Sequence, residues 1–294
     1  MQREKRTKSG RLLEIDFYPV LADGKRAPGR APKTKRSTEE QARYNRKKAK
    51  RNFVRLVNAN FSTGDVFMHP TFAPSDADFS REAALRELQN FFRRVKYARA
   101  AELRRLKAEL KKYPDSQTLK ALYKKLSAPF RYAYRIAQST YKRGEKKGRK
   151  SYHFHLFMTG GLSREVYEEM WALGSANADR YRPDLFGPVA AALYSAKESE
   201  GEMKFGYSKN LVRPVELSPI DGEITARGVE RLATLHIDDG AYWERRYRGY
   251  KFMRAYAKYN EFNGYWYVKA VMYKPEDASD VLPQWRGDAF DVDF

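Results

Sequence analysis

The sequence predicts an α+β chain in which antiparallel hairpins alternate with amphipathic helices, on three observations. Residues 81–96, REAALRELQNFFRRVK, carry Ala84, Leu85, Leu88, Phe91, Phe92 and Val95 on one stripe at helical spacing. Two pairs of alternating segments, 130–138 with 151–157 and 250–260 with 264–274, are each joined by a polar loop, as β-hairpins are. Between the helix and the first hairpin, Leu103, Leu106 and Leu110, then Leu119, Leu122 and Leu126, flank a Tyr113-Pro114-Asp115 break. That pattern predicts a highly charged helical hairpin over 97–129.

Taken in order, residues 1–36 mix basic residues with Pro and Gly (KRAPGRAPKTKR) and predict a flexible basic arm. Within it RLLEIDFYPVL is a short run able to add a strand. From 37 to 61 a candidate N-cap, Ser37 or Thr38, precedes an acidic first turn, a basic stretch and an apolar end, which predicts a helix. DVFMHPTF, 65–72, is strand-like, with Pro70 placing it at a sheet edge or a strand end. Ser80 caps the apolar-striped helix, and the charged hairpin and the strand 130–138 follow. A basic loop, YKRGEKKGRK, then leads to SYHFHLF. Ser163 is the N-cap of REVYEEMWAL, which stops at Gly174, and Pro188 opens the helix VAAALYSAKE. The chain onward to Tyr273 is strand-rich, and His236 is assigned to a core or surface place on a strand. Residues 37–275 are read as one domain and 276–294, ending QWRGDAFDVDF, as an acidic tail. No internal repeat and no Gly-rich nucleotide loop is present.

Composition narrows the partner. The formal charge is +21, spread along the chain, and there are 21 tyrosines. Lysine and arginine neutralise phosphates and release counterions, while aromatic rings offer stacking surfaces to exposed bases, so the balance points to nucleic acid. The absence of cysteine excludes disulfides, thiolate metal sites and a cysteine nucleophile, and suits a reducing cytoplasm. No apolar run reaches the roughly 18 residues of a membrane span, and the polar start MQREKRTKSGR is not a secretory signal.

Two of only four histidines, His153 and His155, stand at i and i+2 on a predicted strand and so share a face. A lone buried histidine is commonly a satisfied core residue. Two side by side both need hydrogen-bond partners, and a divalent metal satisfies them together. Tyr194 and Lys197, at i and i+3 on a predicted helix, project from one face. By themselves they suit an amphipathic helix. Beside a metal site they suit a phenol made nucleophilic by a neighbouring ammonium.

HFH at 153–155 and YSAK at 194–197 resemble the histidine–hydrophobe–histidine and Tyr-x-x-Lys motifs of single-tyrosine HUH endonucleases, and the flanks resemble theirs in the same order. NANFSTGDVFMHPTF is similar to the segment that includes their first motif, and FFRRVK to the helix after it. FGYSKNLVRP resembles the stretch after the catalytic tyrosine in rolling-circle Rep proteins of bacterial phages and plasmids, and 247–273 their closing hairpin.

The resemblance implies a ferredoxin- or RRM-like antiparallel sheet with packed helices, carrying the His pair on a central strand. It further implies a magnesium or manganese ion, a 5′-phosphotyrosine intermediate at Tyr194 and a free 3′-OH. For a third metal ligand the chain offers Gln138 on the strand before the pair, with Glu145 in the loop as the alternative; His69 is taken as a surface residue. Tyr207, followed three residues on by Asn210 in place of lysine, is the lesser candidate nucleophile. Phosphate contacts are assigned to Arg46, Lys47, Lys48, Lys50 and Arg51, to Lys142, Arg143, Lys146 and Lys147 in the basic loop, and to Lys204, Lys209 and Arg213. The implied function is nicking and rejoining of single-stranded DNA at an origin hairpin in the host cytoplasm, with a host helicase as a candidate partner of the acidic tail. An HUH transposase or mobilisation relaxase is the alternative, relaxases carrying a third histidine that only His69 supplies here. A non-catalytic nucleic-acid-binding module, with a structural His pair, is the second.

Overall fold

The computed structural model describes residues 1–20, 38–73, 80–140, 147–181 and 204–275. It is α+β, with two antiparallel sheets, and divides into two compact units.

One unit gathers the described residues of 1–59 and 212–275. Its sheet has the order β10-β11-β2-β1-β8, with β9 also on β1. The strands are β1 (Gln2–Ser9), β2 (Leu12–Pro19), β8 (Val215–Glu216), β9 (Ile220–Asp221), β10 (Lys251–Asn260) and β11 (Tyr265–Tyr273). The first twenty residues are therefore not the flexible arm expected from composition: β1 and β2 form a hairpin at the centre of this sheet. Gly10 turns it at φ 59, and a Cβ there would collide with the Asn58 carbonyl, so only glycine serves. Residues 21–37 and the acidic tail lie outside the described residues.

Leu13, Ile15 and Phe17 of β2 pair across from Met272, Ala270 and Val268 of β11 and make one apolar face. Two helices cover it, α5 (Ala226–Leu235) and α6 (Gly240–Arg246), through Val229, Leu232, Ala233 and Trp243. Their N-caps are Thr225, which accepts from Gly228 N–H, and Asp239, which accepts from Tyr242 N–H. These helices correct the strand-rich reading of the chain onward to Tyr273, and His236 is the C-cap of α5 rather than a strand residue. On the sheet's other face Glu14 accepts two hydrogen bonds from Arg55 of α1 (Glu39–Asn60), each 2.9 Å, and pairs with Lys269, also at 2.9 Å. Burial raises the Glu14 pKa, but the two cations outweigh it and hold the carboxyl far below its usual range. Thr38 provides a side-chain cap for α1, accepting from Gln41 N–H; Ser37 lies outside the described residues.

The other unit holds the described residues of 60–181 and 204–211. Its sheet runs β6-β3-β5-β4-β7, all neighbours antiparallel. The strands are β3 (Val66–Pro70), β4 (Tyr132–Thr140), β5 (Lys150–Met158), β6 (Ala176–Arg180) and β7 (Lys204–Tyr207). Pro70 is the last residue of β3, the strand end that its missing N–H predicts. Val66, Met68, Ile136, Phe154, Leu156, Met158 and Ala178 line one face. Against it pack α2 (Arg81–Lys112), through the predicted stripe from Ala84 to Val95, and α4 (Arg164–Trp171), through Tyr167 and Trp171. Ser80 caps α2 as expected, accepting from Ala83 N–H. The charged hairpin is α2 turning into α3 (Gln117–Ser127), so its first arm continues the core helix without a break.

Candidate functional site

β5 is the central strand of the five, and its alternation decides what shares a face with the His pair. Ala137 of β4 stands opposite His153 and Arg135 opposite His155, so these four project together. Gln138 stands opposite Tyr152, whose hydroxyl it accepts at 3.4 Å, on the face packed against α2 and α4. Gln138 is thus a correction: period-two alternation carries its amide to the wrong side of the sheet, and it does not join the histidines.

Another residue takes that place. Met68 of β3 pairs with Leu156, and Thr71 bridges His153, which sets His69 directly across from His155. The His69 and His155 ring centroids are 4.7 Å apart at an interplanar angle of 85°, and those of His153 and His155 are 5.2 Å apart at 68°. The sequence reading had His69 as a surface residue; it is half-buried and belongs to the cluster. Phe67 and Phe157, stacked at 4.7 Å, close the row toward the start of β3 and the end of β5. Ala137 and Thr71, both small, flank His153 on either side.

The electrostatics favour three uncharged imidazoles. Burial pushes His69 below its usual pKa, and His153 adds to this; burial also lowers His153, with Arg135 adding. His155 falls to about 3, first through burial and then through His69, His153 and Arg135. Neutral imidazole keeps a lone pair for a metal, so the donor set fits a divalent ion. The rings stand edge to face, and among the described residues no three His, Cys, Asp or Glu side chains already converge as a metal-binding group. Arg135, 2 % exposed, supplies a fixed positive charge beside them that the sequence reading did not single out.

These shifts carry a pH prediction. Each imidazole takes a proton more readily in the unfolded chain than in this fold, so stability is complete above about pH 6.5. It declines as pH falls toward the value near 3 at which His155 titrates. Hydrogen exchange at the β5 amides, corrected for intrinsic rates, is expected to show falling protection between about pH 7 and pH 4.5, and a flatter profile in His155→Phe. Equal slopes in the two proteins would count against a buried neutral cluster.

The other predicted residues divide. Tyr194 and Lys197, with Glu145, Lys142, Arg143 and Lys146, lie outside the described residues. Lys147 and Lys209 are exposed in the unit that carries the histidines, where Lys204 opens β7 and Tyr207 ends it. Arg46, Lys47, Lys48, Lys50 and Arg51 are on α1, and Arg213 is exposed; all six belong to the first unit described. Among the described residues no helix is long and apolar enough to cross a membrane. No protein-family model, curated protein or solved structure matches the chain.

Proposed function

We propose that this protein is a metal-dependent single-strand DNA endonuclease and strand transferase of the HUH type, serving rolling-circle replication, with Tyr194 as nucleophile. One observation carries the reading: three neutral imidazoles, His69, His153 and His155, lie side by side on one face at the centre of an antiparallel sheet. The Tyr-x-x-Lys spacing at 194–197 and the +21 charge support it from the sequence.

The tyrosine oxygen attacks a backbone phosphorus, forming a Tyr–O–P bond and breaking the P–O3′ bond. The DNA is left with a 3′-OH and with its 5′-phosphate esterified to the enzyme. The phenol gives up its proton to solvent while the departing O3′ takes one up, so the step is balanced, and the Lys197 ammonium favours the phenolate that attacks. The ester conserves the cleaved bond, so a 3′-OH attacking it restores the strand and frees the tyrosine. His69, His153 and His155 would hold the metal, which when bound withdraws charge from the phosphate oxygens. Nitrogen donors suit manganese better than magnesium, which prefers an all-oxygen shell. The place of His69 also favours a second reading, the mobilisation relaxase, for which a third histidine is the distinguishing mark.

The test is incubation with labelled single-stranded DNA and Mn²⁺. A covalent adduct is expected from the native protein and none from Tyr194→Phe. DNA binding without an adduct, in Mn²⁺ and in Mg²⁺ alike, would leave only a nucleic-acid-binding module. A circular replicon product in cells separates replication from mobilisation.

A further inference from the structure

The 32-residue helix α2 runs about 48 Å, and its apolar packing on the sheet ends at Val95. Beyond that point only Arg99 and Leu106 are buried. Arg99 fixes the projecting part. Its guanidinium donates to the carbonyls of Leu126 and Ala128 at the end of α3, both at 3.1 Å, and to those of Thr159 and Gly160 in the turn after β5. Lys125 adds a bond to the Gly64 carbonyl at 2.8 Å. A Cβ at Gly160 would meet the Gly64 carbonyl, and Gly161, at φ 126, lies under Leu126, so the Gly-Gly turn is what lets α3 approach. The arm is therefore anchored to the same strand that carries the His pair.

Along this rod Arg86, Arg93, Lys96, Arg104, Lys107 and Lys111 are all exposed. At 3.6 residues per turn they fall within about 80° of arc, well round from the buried line Ala84, Leu88, Val95, Arg99 and Leu106. None has a carboxylate partner among the described residues. The two carboxylates of residues 97–112, Glu102 and Glu109, lie on another side and are both engaged by Arg105. From residue 86 to residue 111 the stripe is about 37 Å long, close to the roughly 34–36 Å of one turn of B-DNA.

We propose that this stripe is a docking surface for the phosphate backbone of duplex DNA, lying along one helical turn. A straight, rigid row of cations, with Tyr97 on its flank and Tyr113 at its end as exposed aromatic neighbours, meets the phosphate ridges of a duplex at the fixed places where they cross it. A single strand calls for a series of stacking platforms, and along the row this face offers Tyr97 alone. The surface shares its DNA partner with the function proposed above but needs none of its chemistry.

The test uses the full chain with no divalent metal, so it reads independently of any cutting. Affinity for a fluorescent duplex of arbitrary sequence, about 25 base pairs long, is measured across about 50–300 mM KCl. For R104Q/K107Q/K111Q, log K against log salt should be shallower by about 2.5–3, with roughly hundredfold weaker binding near 0.1 M. Glutamine keeps helix propensity, which circular dichroism checks, and R104K/K107R/K111R should retain the native slope and affinity. Superimposable salt plots for the native and glutamine proteins would overturn the proposal. So would a loss seen with single strands and not with the duplex.

Discussion

His69→Ala is expected to weaken Mn²⁺ binding more than about a hundredfold, as His155→Ala does, and Gln138→Ala to leave it near native. Loss even of an outer-shell partner costs a metal site about 10–100-fold, so loss of one of the three proposed donors should exceed that. The contrast is decisive because both candidates flank the His pair on neighbouring strands, and only face parity separates them. His69 stands across from His155 with ring centroids 4.7 Å apart; Gln138 accepts from Tyr152 on the opposite face. Isothermal titration with Mn²⁺ reads the result directly. Native affinity in His69→Ala, with a loss in Gln138→Ala, would overturn the assigned register.

Glu14→Ala is expected to destabilise its unit by about 3–5 kcal/mol, because it strands two buried cations. Lys269 is 0 % exposed and Arg55 7 %, and both direct their charge at this carboxylate. A simultaneous Lys269→Met change should recover part of the loss, since an apolar residue in that place no longer demands a counter-charge. The free energy of opening at the β2 and β11 amides, measured by hydrogen exchange, checks both steps. A loss under about 1 kcal/mol in Glu14→Ala would show that water reaches the triad.

Much of the fold was legible because its signals are local. The stripe from Ala84 to Val95, the alternation around HFH and the hairpin turning at Gly264 depend on neighbours a few residues away, and each element forms where expected. β1 was not legible for a physical reason. Its buried side chains are Gln2, Glu4, Thr7 and Ser9, so hydrophobic periodicity has nothing to detect; it is a strand because β2 and β8 pair with it. The helices α5 and α6 were missed although Thr225, Asp239 and the 229-232-233 spacing mark them. The surrounding aromatic, β-prone segments dominated that reading. At the site, the His pair followed from i, i+2 spacing alone. Whether Gln138 or His69 joined it depended on cross-strand register, set by pairings that no short window of sequence contains.

The place of the β1–β2 hairpin also orders events during synthesis. Leu12 pairs with Tyr273, whereas all five strands of the histidine-bearing sheet lie between residues 66 and 207. At about 5–20 residues per second, the ribosome makes β2 on the order of ten seconds or more before β11 emerges. For that interval LLEIDFYP presents an unsatisfied apolar edge, the kind of segment that chaperones hold and that aggregates when they are scarce. The histidine-bearing sheet is fully synthesised first, while β1 and β2 wait for β11.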